Sequence, residues 1–169
     1  MKSNCFRVLA VVTCMGMVGV PSVAFAATKQ QAMPVQAQVN VNCNFNSSPT
    51  MNFGAYDPLA AAPLTGSVVL SVRCTKGATV QIGIYNGNNS ANAPAGSNRA
   101  MTDGTDYLGY DFFQDNTYAT LWTSSGAGLY SYVAASNAPT PINIYGRVPA
   151  SQNVGNGIYN DSVVVEVIY

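Results

Sequence analysis

The chain has 169 residues, with seven basic and seven acidic side chains, no histidine, and only 8% charged residues. That balance argues against a basic nucleic-acid-binding stripe, and the missing imidazole removes the usual general base and zinc ligand. One domain built from sheets and turns fits the abundance of Gly, Asn, Ser, Thr and Tyr better than solvated helices do.

The first 26 residues read as a signal peptide. Lys2 and Arg7 give a positive start, Val8 to Val20 form an apolar core, and Ala24-Phe25-Ala26 supplies the small–any–small cleavage pattern. The apolar run is about 13 residues, short of the roughly 20 a membrane span needs. The mature chain is expected to begin near Ala27 and to be exported. Cys5 and Cys14 leave with the leader, so Cys43 and Cys74 remain in an oxidising compartment and are expected to pair. Closing that loop of roughly 30 residues stabilises a fold by about 3–4 kcal/mol on the chain-entropy account. Loss of Lys2 and Arg7 also leaves five basic residues against seven acidic ones, a net charge near −2.

Beyond the leader, strand signals alternate with turn signals at the spacing of an all-β sandwich. Val35 to Cys43 alternates strictly. Val68–Cys74 and Thr79–Tyr85 follow, separated by a turn at Lys76-Gly77. Asn86 to Asn98 reads as a loop, because its Gly, Asn and Pro build no core and asparagine tolerates left-handed backbone. Tyr107–Gln114, Thr120–Trp122, Leu129–Val133 and Pro141–Val148 are further predicted strands. Neither helical periodicity nor an internal repeat is found after the leader.

Candidate chemistry along this stretch reads as architecture. Asp103, Asp106, Asp111 and Asp115 have the residue type for a calcium site or a glycosidase pair. Asp103-Gly104-Thr105-Asp106 is better read as a turn, and Asp111 and Asp115 belong to a strand or flank it. The tyrosines, among them Tyr85, Tyr107, Tyr110, Tyr130, Tyr132, Tyr145 and Tyr159, have the spacing of half-buried sheet residues rather than of a sugar-stacking surface. No nucleophile constellation, phosphate cradle or metal-ligand spacing is present, so the reading is of a protein that is not an enzyme and has no cofactor.

The last twelve residues, Ile158 to Tyr169, form the clearest strand signal. Val163, Val165, Val167 and Tyr169 share one face at period two, opposite Ser162, Val164, Glu166 and Ile168. A strand this apolar needs neighbours on both edges, and no chain follows it to supply one. The expectation is a sheet whose last partner comes from another molecule.

Several motifs together resemble the spore coat protein U domain family. Asn52-Phe53-Gly54-Ala55-Tyr56-Asp57-Pro58 is similar to its aromatic turn, Ser71-Val72-Arg73-Cys74 to its second-cysteine strand, and Arg99-Ala100-Met101 to its arginine-containing turn. Leu108 to Asp115 followed by Leu121-Trp122 resembles its middle block. Tyr145-Gly146-Arg147-Val148-Pro149-Ala150 and Gly157 to Ser162 resemble its end. These motifs run in family order from about Val39 to Tyr169.

The resemblance implies an incomplete immunoglobulin-like β-sandwich, completed by a donor strand from a neighbouring subunit of an archaic chaperone–usher pilus. It implies a periplasmic chaperone, an outer-membrane usher and other pilus subunits as partners, and a route through the periplasm to the cell surface. Residues 27–37 would be the donor extension, presenting Met33, Val35 and Ala37, and residues 38–169 the domain. Val163, Val165, Val167 and Tyr169 would border the acceptor groove. The family also contains spore and surface coat proteins, and a surface-binding minor adhesin is a further reading of the same fold. With room for only one domain, the chain fits a shaft or minor subunit better than a two-domain tip adhesin.

Overall fold

The computed structural model describes residues 25–169, so the predicted leader lies outside the described residues except for its final Phe25-Ala26. Residues 25–42 contain no strand. Gln38–Tyr169 is one compact unit. Its strands are β1 (Cys43–Phe45), β2 (Leu64–Cys74), β3 (Thr79–Ile84), β4 (Arg99–Thr102), β5 (Tyr107–Phe113), β6 (Tyr130–Val133), β7 (Thr140–Val148) and β8 (Val165–Ile168). They form a five-stranded sheet in the order β1-β2-β7-β5-β4 and a three-stranded sheet in the order β6-β3-β8. Every pairing is antiparallel. The result is an all-β, immunoglobulin-like sandwich.

Alternation dictates which face of each strand is buried. In β2, Leu70, Val72 and Cys74 are buried while Thr65, Ser67 and Arg73 point outward. In β7, Ile142, Ile144 and Val148 are buried, with Pro141 and Asn143 outward. Pro141 lies where β7 has β2 as its only paired neighbour, because β5 joins β7 only at Tyr145–Arg147. The opposing sheet contributes Val80, Ile82 and Ile84 from β3. Trp122 fills the middle: it is fully buried, stacks on Tyr130 at 5.2 Å, and donates its indole N–H to the Ile82 carbonyl at 2.8 Å.

Cys43 and Cys74 are joined by a disulfide and face one another across the β1–β2 ladder. β2 begins at Leu64, four residues before the predicted start.

Three expectations about strands are corrected. The alternating run from Val35 to Cys43 does not pair until Cys43. Among the described residues no strand lies beside it, and it is held near its end by Thr75, whose hydroxyl accepts the Asn42 N–H at 3.0 Å. The predicted Thr120–Trp122 strand contracts to a single bridge, Phe113 to Leu121. Asp115 is the reason: its carboxylate accepts the N–H groups of Thr117, Ala119 and Thr120 and the Thr117 hydroxyl, curling the chain into a turn with Tyr118 at φ +57°. Finally, the C-terminal strand is shorter than its pattern. Only Val165–Ile168 pairs with β3, and Asn160 instead bridges Thr102 on the other sheet.

Candidate assembly groove

β8 is an edge strand. It pairs with β3 through Val165↔Ile84 to Ile168↔Gln81, and among the described residues no strand covers its other side. β1 is an edge of the other sheet. The sandwich is therefore open between these two edges, and a cleft of about 510 Å³ lies there, with Phe45 on one wall and Val165 and Val167 on the other. A second cleft of about 730 Å³ is lined by, among others, Met51, Phe53, Val154, Ile158 and Tyr159.

Glycines let the wall at Met51 and Phe53 sit close. Gly66 and Gly146 are cross-strand partners on the core face of β2 and β7. A Cβ at Gly146 would stand 2.7 Å from the Phe53 ring, so only glycine admits it. The ring then meets Tyr110 edge-on at 5.9 Å.

Val163, Val165 and Val167 are partly buried and pack against the core, while Val164, at 64% exposure, points away. Tyr169 falls beyond the end of β8 and is 57% exposed, so it is not brought to that wall in this chain. Met33 and Val35 are 81% and 84% exposed, and Ala37 is also exposed. Val39 at 81% and Val41 at 52% extend the same alternating apolar set. Residues 33–41 thus present an apolar side chain at every second position with no sheet to bury it.

Polar groups fix the rim. Tyr85 donates its hydroxyl to Glu166 at 2.9 Å, and this bond to a carboxylate raises the phenol pKa. Deeper, Arg99 of β4 is fully buried and reaches across the sandwich. It donates to the carbonyls of Ile84 (2.8 Å), Tyr85 (3.0 Å) and Trp122 (2.8 Å), pairs with Asp111 at 3.4 Å, and lies over the Phe112 ring. Burial lowers the Arg99 pKa and raises that of Asp111, and the Asn98 N–H and amide bonds to Asp111 oppose the latter.

Sequence reasoning placed Arg99 in a turn. Its role is invisible locally because its partners lie 14, 15 and 23 residues away. Phe45 and Tyr85 were likewise missed as groove residues. The signal for Phe45 was its continuation of the odd-numbered apolar set beyond Cys43.

The spore coat protein U domain matches residues 29–166. The chain belongs to that family. It is 35% identical over 161 residues to "Protein U" of Myxococcus xanthus, covering 88% of this chain and 89% of that protein. Its fold is similar to one in the chaperone–tip adhesion subunit pre-assembly complex CsuC–CsuE, from the archaic chaperone–usher Csu pili of Acinetobacter baumannii. The TM-score is 0.52 at 24% identity, and the match covers 78% of this chain and 40% of that one.

Proposed function

We propose that this protein is a structural subunit of an archaic chaperone–usher-type pilus and that it polymerises by donor-strand complementation. The observation that carries the proposal is the open β8 edge with its half-buried valines beside a cleft, in a chain that also has an exposed alternating strand without a partner. An incoming strand satisfies the free N–H and C=O groups of β8 and covers the valines, which otherwise form an aggregation-prone edge.

The donor is the amino-terminal segment of a second copy or of a related subunit. The exposure of Val39 and Val41 beside Met33, Val35 and Ala37 supports a donor that extends past Ala37. Burying each valine contributes about 1.5–3 kcal/mol. Pro34 lacks an N–H, and it fits only a register in which that position faces away from the ladder.

A periplasmic chaperone would hold the edge before assembly, an outer-membrane usher would admit the subunit, and the product would be a surface fibre serving adhesion and biofilm formation. Membership of the family and a fold shared with a solved chaperone–subunit complex support this reading. The relationship to Protein U over most of both chains favours, as a second reading, a coat assembled by the same strand exchange.

Deleting Ala27–Val41, which removes the whole alternating apolar set, tests the mechanism. The truncated subunit is expected to remain disulfide-bonded and chaperone-bound, yet to form no detergent-resistant polymer. Polymers of normal length from that variant would overturn the proposal.

A further inference from the structure

The chain crosses between the two sheets immediately before β8. Asn160 exchanges backbone hydrogen bonds with Thr102 of the five-stranded sheet, at 2.9 and 3.0 Å. Five residues later Val165 pairs with Ile84 of the three-stranded sheet. Between them, Asp161 bonds to both sides. One carboxylate oxygen accepts the Tyr110 hydroxyl of β5 at 2.8 Å. The other accepts the Asn88 N–H at 3.1 Å and the Asn89 side-chain amide at 3.0 Å, from the turn that follows β3.

That turn is shaped to receive the carboxylate. Gly87 has φ +84°, a conformation that favours glycine, and a Cβ there would collide with the Asp161 carboxylate. The same turn continues the β3–β8 pairing through Tyr85 N–H to Val164 C=O (2.9 Å) and Asn88 N–H to Ser162 C=O (3.2 Å). Gly87, Asn88 and Ser162 also line the cleft. The buried guanidinium of Arg99 offsets the negative charge from within the core.

We propose that Asp161 is the positioning residue of the assembly groove: by pinning the crossover to Tyr110 and to the Asn86–Asn89 turn, it holds β8 in the orientation that captures a donor strand. β8 has a four-residue ladder on one side, prolonged only by the Tyr85 and Asn88 bonds at the Asn86–Asn89 turn, so its order before a donor arrives depends on how that turn is anchored. The inference rests on the donor-strand reading for its consequence but not for its geometry. Asn at this position keeps an acceptor for Asn88 and Asn89 and can donate to the Tyr110 oxygen, so it preserves the anchor, whereas Ala removes it.

The test uses the purified, disulfide-bonded chain with two readouts: amide hydrogen exchange, and capture of a synthetic peptide of residues 31–42. Asp161→Ala is expected to speed exchange at Val163–Ile168 by at least about tenfold relative to β2 and β7 and to weaken peptide capture by a similar factor. Asp161→Asn is expected to stay within about threefold of the parent on both. Gly87→Ala should resemble Asp161→Ala, and the double variant should add little, because both break one dock. Ile142→Ala, a core truncation on the other sheet, controls for general loss of stability and should leave the β8-specific ratio unchanged.

Equal acceleration of all strands in Asp161→Ala would overturn the inference, as would Asp161→Asn behaving like Asp161→Ala. If the parent chain fails to capture the peptide while β8 exchange still responds selectively, the donor-strand reading fails and the positioning role stands.

Discussion

Met33–Val41 and Val163–Val167 carry the same signal, an apolar side chain at every second residue, and meet opposite fates. The valines of the second segment lie against the core, where β3 supplies a ladder on one side. In the first segment, Met33, Val35 and Val39 are more than four-fifths exposed, and among the described residues no strand forms before Cys43. Period two specifies which face of a strand is apolar, but not that a partner exists. Among the described residues, one is an edge without a neighbouring strand and the other an extended apolar face without a sheet.

Charge placed on either segment should separate their roles. Val165→Asp puts a carboxylate against the apolar core, at a cost of several kcal/mol or a forced neutralisation. The expected result is degraded monomer and no fibre, and chaperone-free yield with urea melting measures it. Arg99→Leu should destabilise by about 3–5 kcal/mol, because it strands Asp111 and frees three carbonyl groups beneath the groove. Urea titration of the oxidised protein checks this.

Replacing both Cys43 and Cys74 with serine should cost about 3–4 kcal/mol by releasing the loop they close. β1 has only three residues, so the loss should appear first as faster exchange at Asn44 and Phe45.

Met33→Asp or Val35→Asp should change the stability of the isolated subunit by less than about 0.5 kcal/mol, since both side chains are exposed. Polymerisation should nevertheless fall sharply, and gel analysis of detergent-resistant ladders reads it. The smallest effect concerns Asp115, whose pKa is depressed by the Thr117 hydroxyl and the Thr120 and Ala119 N–H groups. Because the folded pKa is lowered, the turn's stabilisation is full above the ordinary carboxylate range and is lost as pH falls through the folded value. NMR shifts of the Thr117 and Thr120 amides should therefore begin to move well below pH 4, the ordinary carboxylate pKa.

Much of the sandwich was legible because its strands are local patterns: β3, β5 and β7 alternate or run apolar between clear turn residues. The disulfide was legible from the predicted leader and the cysteine count. What the sequence hid depends on distant partners. Arg99 reads as a surface charge until the carbonyls of Ile84, Tyr85 and Trp122 surround it. Residues 38–42 read as a strand until no ladder is found for them. The crossover at Asp161 looked like strand because valines follow it, yet its carboxylate serves two sheets.

The central claim is that one molecule's amino-terminal segment lies in the β8 groove of another. Two subunits, one carrying Val35→Cys and the other a cysteine at Val163, Val165 or Val167, test it directly under oxidising assembly conditions. The account predicts an intermolecular disulfide with one of the three positions, because facing residues in adjacent strands bring their Cβ atoms to about 4.5–5.5 Å. Polymers that form normally while none of the three pairs cross-links, even when the donor cysteine is moved to Met33 or Ala37, would contradict it.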